Sequence, residues 1–379
     1  MSVLCGLDRL PMVAKMLHGK RVGLITTSAA LDAHFVSGVD RLSRVCKLTA
    51  LFAPEHGIRG ELAAGIPFEG YTDPCTGLPV YSLYRKGGEH MEPEMLEGLD
   101  ALVYDVPDVG LRYYTYLSTL QYAMKACGEA GRPLVVLDRP NPLGDGVEGN
   151  VLRQGFESFV GAHSICVRYG LTVGELAQML RSETESPCEL TIIPCRGWRR
   201  HMLFPDTGRF WAPPSPAIPR FESALAYGAT CLMEGTNLSE GRGSALPFEQ
   251  IGAPYLRPME LAKRMNGLRL PGVRFLPVWF TPYGSKHGGR LCGGVRLAVV
   301  DMRTFRPVET GVRLLFAIRQ DYEKDFAFLQ REDGAYFLDS LAGDDCLTRP
   351  GAEADAVLEA FEKDSAAFAR RKRAYHLYQ

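Results

Sequence analysis

No run of apolar residues in this chain is long enough to cross a bilayer, which removes a membrane-spanning helix from the account. The amino terminus, Met1-Ser-Val-Leu-Cys-Gly-Leu-Asp-Arg-Leu10, lacks a basic segment followed by an unbroken apolar stretch and a small-residue cleavage site, so it does not read as a secretion signal. Charge of one sign is missing as well. A formal net charge of −1 offers no basic field for nucleic acid and no attraction to an anionic membrane, so neither is expected as a partner. The ten cysteines include no Cys-x-x-Cys, and the closest two are Cys188 and Cys195; they read as buried thiols of a cytoplasmic protein. There is no Walker loop, no Gly-x-Ser-x-Gly elbow and no His-Glu-x-x-His helix. Gly144-Asp-Gly-Val-Glu-Gly149 has dinucleotide spacing but follows Pro140 and Pro142 instead of running from a strand into a helix, so no nicotinamide cofactor is expected, and no metal.

What is present suits a soluble two-domain protein: 379 residues, 46% hydrophobic and 23% charged. Apolar runs at Val22–Thr26, Leu48–Ala53, Ala101–Val106 and Pro133–Asp138, with a helix expected from Thr115 to Gly128, alternate as strand and helix. That alternation predicts an α/β fold with a doubly wound parallel sheet. Thr172-Val-Gly-Glu175 is a capping-box start to a helix, and a strand candidate follows at Leu190–Ile193. The proline cluster Trp211–Pro219 marks a junction between an amino-terminal domain, 1–210, and a smaller α+β domain, 211–379. In the latter, helices are expected near Glu222–Tyr227, Met259–Met265, Val308–Tyr322 and from Ala352, with strands at Thr230–Met233 and Gly294–Val300. Arg370-Arg-Lys-Arg373 reads as a solvated helix face.

Polar residues that folding alone does not demand cluster where the predicted strands end. Pro54-Glu55-His56-Gly-Ile-Arg59-Gly60 follows the second strand, Asp105-Val-Pro-Asp108-Val-Gly-Leu-Arg112-Tyr-Tyr114 the third, and Asp138-Arg-Pro-Asn141-Pro142 the fourth. In a parallel sheet these line one rim, where ligands bind. Glu234-Gly-Thr-Asn237-Leu-Ser-Glu240-Gly-Arg242-Gly243 and the loop around Lys286 and His287 add polar groups from the second half, which argues for a cleft between domains. Structural alternatives stand beside each: Glu55 as a helix cap, Asp105 and Asp138 as turn residues, Glu240 and Arg242 as an internal ion pair.

Acidic side chains on loops, with Tyr113, Tyr114, Tyr116 and Trp211 as rings for a sugar to stack on, suit glycoside hydrolysis. That reaction needs a carboxylic acid to protonate the leaving oxygen and a second group to stabilise or attack the anomeric carbon. Glu55, directly after a buried strand, meets the first requirement, because an apolar setting favours the protonated carboxyl.

Pro-Glu-His-Gly at 54–57, the Asp-Val-x-Asp-Val-Gly-x-Arg-x-Tyr-Thr-Tyr run at 105–116, Asp-Arg-Pro-Asn-Pro at 138–142, Pro-Pro-Ser-Pro at 213–216 and Glu-Gly-Thr-Asn-Leu-Ser-Glu-Gly-Arg-Gly at 234–243 together resemble the exo-β-N-acetylmuramidase family, NamZ or YbbC. The resemblance runs from about Leu7 to the carboxyl terminus. It implies a Rossmann-like first domain, a site between the domains, and release of N-acetylmuramic acid from the non-reducing ends of peptidoglycan fragments. It further implies Glu55 as the catalytic acid and His56 as its neighbour. Asp105 and Glu240 are carried as further catalytic candidates, and Arg59, Asp108, Arg112, Tyr114, Asn141, Glu234, Asn237, Arg242 and His287 as substrate-binding candidates.

The second catalytic group stays open between Asp105, Asp108, Glu234, Glu240 and the acetamido oxygen of the substrate. One of Arg59, Arg112 or Arg242 is expected to read the lactyl carboxylate that distinguishes N-acetylmuramic acid from N-acetylglucosamine. Two departures from the family pattern bear on substrate detail. Arg168-Tyr-Gly170 stands where members often have Arg-His-Gly, and the missing secretion signal points to imported muramyl disaccharides or muropeptides as substrates. A non-catalytic muropeptide-binding or sensing protein is the alternative reading; an esterase or amidase is disfavoured because no serine or cysteine nucleophile lies in a recognisable motif.

Overall fold

The computed structural model describes residues 2–86, 88–184 and 186–379. Twelve strands occur among them: β1 Arg21–Thr26, β2 Lys47–Ala53, β3 Tyr71–Thr72, β4 Pro79–Ser82, β5 Ala101–Asp105, β6 Leu134–Leu137, β7 Glu148–Val151, β8 Cys166–Arg168, β9 Leu190–Ile193, β10 Gln250–Ala253, β11 Val273–Phe280 and β12 Cys292–Val299. Seven form one sheet in the order β3-β4-β2-β1-β5-β6-β9, parallel except for β3, which runs antiparallel to β4.

Strand alternation explains the layering. Ile25, Phe52, Leu102, Tyr104 and Val136 face one buried cluster, while Val22, Leu24, Leu51, Val103 and Val135 face another on the opposite side. Helices α1 (Leu10–Leu17) and α2 (Gly38–Leu42) contribute to the second cluster, α3 (Tyr116–Glu129) and α4 (Val173–Glu183) to the first. The fold is therefore α/β with a Rossmann-like sheet covered on both faces. The capping box foreseen at Thr172 is present: its hydroxyl accepts from Glu175 N–H at 3.2 Å, and Glu175 Oε2 accepts from Thr172 N–H at 3.0 Å.

The second half holds a three-stranded antiparallel sheet, β10-β12-β11, with helices α5 (Phe221–Thr230), α6 (Pro258–Gly267), α7 (Pro307–Asp321), α8 (Phe337–Ala342) and α9 (Ala354–Arg371). The strand expected at Thr230–Met233 is instead the end of α5 and a 3₁₀ turn over Cys231–Gly235. Gly311 of α7 lies so close to α5 that a Cβ there would sit 2.1 Å from Ala229 O, so the contact between the two helices requires glycine at 311.

The two halves are sewn together. Helix α9 packs across β7, with Asp364 Oδ2 accepting from Val151 N–H at 3.1 Å, and Leu377 N–H donates to Glu175 Oε1 at 2.8 Å. The basic run expected to be solvated is partly internal. Arg371 is ion-paired to Glu183, and the buried Lys372 ammonium donates to the carbonyls of Asp145 and Gly170 at 2.8 and 2.7 Å. The periodicity of a basic run carries no sign that the chain doubles back onto the first domain.

Candidate active site

β2 ends at Ala53 and the chain turns at Pro54–Gly57, where the Gly57 N–H donates to Pro54 O at 3.1 Å. No helix follows, so Glu55 is not a cap. His56 and Gly57 both lie in the left-handed region, at φ 78° and 76°. That conformation is strained for a non-glycine residue and concentrates at functional positions. It is held by two reciprocal contacts, His56 Nδ1 to Leu62 O at 3.0 Å and Leu62 N–H to His56 O at 3.3 Å. A carbonyl can only accept, so Nδ1 carries the proton and Nε2 is the lone-pair nitrogen. Burial pulls the imidazole below its usual pKa, against the opposing charge of Glu55, so it stays neutral.

This turn delivers Glu55 to a cavity of about 400 Å³ lined from both halves of the chain. Glu55 is 8% exposed; Gly65 N–H donates to its Oε1 and Thr115 Oγ1 to its Oε2, both at 2.9 Å. The Tyr116 hydroxyl lies 3.2 Å from Glu55 O and 3.0 Å from Pro214 O, tying the β2 loop to the proline segment. Across the cavity Arg242 grips Glu234, with Nη1 to Oε2 at 2.9 Å and Nη2 to Oε1 at 3.4 Å, and lies 4.9 Å from the centre of the Phe248 ring. Burial raises the Glu234 pKa, with Arg242 opposing it. Burial would lower that of Arg242, but Glu234 and Glu240 together hold it above its ordinary value.

Tyr114, Tyr227 and Phe248 form a connected aromatic wall, with centroid separations of 6.4 and 4.5 Å. Such a wall offers an apolar face to a sugar ring. The cavity thus unites Glu55, His56, Tyr114, Glu234 and Arg242 from the residues foreseen in the sequence. It adds Tyr84, Thr115, Tyr227, Phe248 and Arg331, which sequence reasoning did not assign to the site. Thr115 stands in the 105–116 motif and at the start of the expected helix without a role in the site, and Tyr227 reads only as a helical position. Phe248 and Arg331 lie in loops without any motif.

The other candidates do not line this cavity, and each is occupied elsewhere. Asp105 Oδ1 accepts from Arg139 Nε at 2.7 Å, and Glu240 pairs with Lys286 at 2.9 Å. Arg59 Nη2 is bound to both oxygens of Asp73 at 2.9 and 3.0 Å. Arg112 is a buried clamp: it donates to the carbonyls of Asn150 and Ile165 at 2.8 Å, and to those of Leu341 and Ala342. Burial lowers its pKa to about 10. Asn141 donates to Leu171 O at 2.8 Å and accepts from Leu143 N–H at 2.9 Å. Asn237 anchors the 325–327 loop through Asp325 O at 2.7 Å and Ala327 N–H at 3.1 Å, and its own carbonyl lies 2.7 Å from His287 Nε2. Asp108 accepts from Gly110 N–H at 2.9 Å and from the Tyr169 hydroxyl, and it lines a different cavity. A polar residue in a motif loop serves the loop as often as the ligand, and spacing alone does not separate the two.

Two family models match most of the chain, Exo-beta-N-acetylmuramidase NamZ N-terminal over residues 22–222 and its C-terminal counterpart over 225–378. The chain is 44% identical over 384 residues to the peptidoglycan beta-N-acetylmuramidase NamZ of Bacillus subtilis (strain 168), covering 100% of this chain and 92% of that protein. Two crystal structures of DUF1343 family proteins from Bacteroides fragilis NCTC 9343 superpose on it. One has a TM-score of 0.91 at 35% identity, the other 0.79 at 29%, each covering 100% of this chain and 99% of its own.

Proposed function

The chain belongs to the exo-β-N-acetylmuramidase NamZ family, and from that premise we propose that it is a glycoside hydrolase releasing N-acetylmuramic acid from the non-reducing end of peptidoglycan fragments. The observation that carries this reading is the Glu55 carboxyl, fixed by Gly65 and Thr115 at one wall of a cavity whose other walls are aromatic and carry the Glu234–Arg242 pair. A space of about 400 Å³ has room for a sugar ring, and exo action is the reading that membership of the family supports.

Glu55 gives its proton to the glycosidic oxygen as the bond to the anomeric carbon breaks. The two donors on its oxygens hold it in one orientation and stabilise the carboxylate that forms, which then takes a proton from the incoming water. Neutral His56, with Nε2 unprotonated, accepts a hydrogen bond from a sugar hydroxyl or from that water. For the second catalytic role, Asp105, Asp108 and Glu240 lie outside this cavity. Glu234 and the substrate's own acetamido oxygen stay as candidates; Arg242 ties up both oxygens of Glu234, which favours the acetamido route. Arg59 and Arg112 do not line the cavity; its guanidinium groups are Arg242, which also holds Glu234, and Arg331, which also pairs with Asp333, and these two are the proposed readers of the lactyl carboxylate.

The ten free cysteines, most of them buried, support a reducing cytoplasm as the place of action, with muramyl saccharides as substrates. The test is product analysis. Incubation with N-acetylmuramyl-N-acetylglucosamine is expected to liberate free N-acetylmuramic acid, and a glycan ending in N-acetylglucosamine at its non-reducing end is expected to stay intact. Cleavage inside the second glycan, or no cleavage of the first, contradicts the proposal.

A further inference from the structure

In the parallel sheet β1 lies between β2 and β5, so the loops leaving β1 and β5 turn to opposite sides and open a crevice at the strand ends. The catalytic cavity does not occupy this crevice. A separate cavity of about 350 Å³ does, and the two share no lining residue. Their common wall is the proline segment, with Pro214 facing one side and Ser215 the other.

Three features mark the second cavity as built for a ligand. At its mouth Phe35 and Phe210 are 63% and 66% exposed and meet edge to face at 5.4 Å, while Trp211 lies alongside. Phe35 holds φ at 63°, a conformation that a bulky residue adopts only under constraint. Among the lining residues, Asp108 and Arg139 are more than nine-tenths buried, yet Asp108 Oδ1 and Arg139 Nη2 have no hydrogen-bond partner. Neither residue lines the catalytic cavity, although Asp108 belongs to the 105–116 run that gives that cavity Tyr113, Tyr114 and Thr115.

We propose that this crevice is a second, non-catalytic saccharide site that takes a single pyranose ring. The ring's C–H face lies against Phe210 and Trp211, and its hydroxyls, which both donate and accept, supply what Asp108 and Arg139 lack. Burial raises the Asp108 pKa to about 7, so near neutrality its carboxyl also works in either sense. Phosphate and nucleotide ligands fit poorly. The turn after β1, Thr27-Ser-Ala-Ala-Leu-Asp32, has no glycine cradle, and Arg139 is already matched by Asp105 and Arg209 by Asp8. The site stands apart from the glycosidase assignment, since binding there needs no turnover.

Trp211 makes the site readable. The chain has three tryptophans, and none lines the catalytic cavity. The full chain is titrated with N-acetylglucosamine, with N-acetylmuramic acid and with inorganic phosphate, following tryptophan emission, in the wild type, Trp211→Phe and Phe210→Ala. An amino sugar is expected to shift emission saturably. The shift disappears in Trp211→Phe, and its midpoint rises at least tenfold in Phe210→Ala, an exposed position that folding tolerates. Phe210→Ala keeps wild-type kcat and KM on the muramyl disaccharide. The inference is overturned by no saturable shift with either sugar, by a shift with phosphate alone, or by a KM that rises with the midpoint in Phe210→Ala.

Discussion

Thr115 Oγ1 donates to Glu55 Oε2 at 2.9 Å and so joins the start of α3 to the loop after β2, 60 positions away. In the proposed mechanism the hydroxyl fixes a carboxyl that points at the departing oxygen, and a hydrogen bond to a charged group is worth about 1.5–3 kcal/mol. Thr115→Val keeps the shape and removes the donor. It is expected to lower kcat about tenfold with little change in KM, measured by steady-state kinetics on a muramyl disaccharide. A change confined to KM contradicts an orienting role.

The Glu234–Arg242 pair lines the same cavity as Glu55. Arg242→Met leaves a carboxyl whose pKa burial already raises, and removes the opposing charge. Its folded-state pKa then climbs further above the unfolded value, so the folded state binds the extra proton and stability declines as pH rises. Urea midpoints at pH 5 and pH 8 are expected to show a larger loss at the higher pH. The loss is expected to vanish when Glu234→Gln is added.

Arg112 is a structural clamp, not a ligand reader. It gathers carbonyls from the β7 and β8 segments and from the end of α8. Arg112→Met orphans them, and the expected cost is about 3 kcal/mol or more, read as a fall in thermal midpoint and urea midpoint. A variant as stable as the wild type refutes the clamp.

Asp108 offers a pH test of the amino-terminal domain. Burial lifts its pKa to about 7, from 3.8 in the unfolded chain. The stabilising contribution of the neutral carboxyl is complete below the unfolded value and fades as pH rises through about 7. Asp108→Asn does not titrate and is expected to flatten the stability profile from pH 4 to 7. A residual slope is expected from the other carboxyls that burial raises, Asp138 to about 6 and Glu148 and Glu234 in the same direction. An unchanged slope contradicts the assignment.

The parallel strands β1, β2, β5, β6 and β9 were legible because each is a compact apolar run with a helix or a capped turn beside it. The hairpin of β7 and β8 was not, since Glu148-Gly-Asn-Val151 has neither alternation nor length. The helix expected at Glu222–Tyr227 is present and extends to Thr230, and the short apolar run Thr230–Met233, which reads as a strand, is instead its end and a 3₁₀ turn. In the site, Glu55, His56, Glu234 and Arg242 were legible as polar residues crowded into short loops. Phe248 and Arg331 reach the cavity only through chain crossings that sequence spacing does not encode, whereas Thr115 sits beside Tyr114 in the 105–116 run. The same loops misled for Arg112 and Asn237, whose polarity is spent on backbone carbonyls and loop amides.

Glu55 is the proposed proton donor to the leaving sugar. This role is tested by comparing the loss in kcat/KM of Glu55→Gln on two substrates with the same muramyl group, one leaving as a sugar alcohol and one as 4-nitrophenolate. A poor leaving group needs the proton and a good one does not, so the account predicts a loss of about a thousandfold on the disaccharide and a far smaller one on the nitrophenyl muraminide. Equal losses on both, or undiminished disaccharide hydrolysis, contradict it.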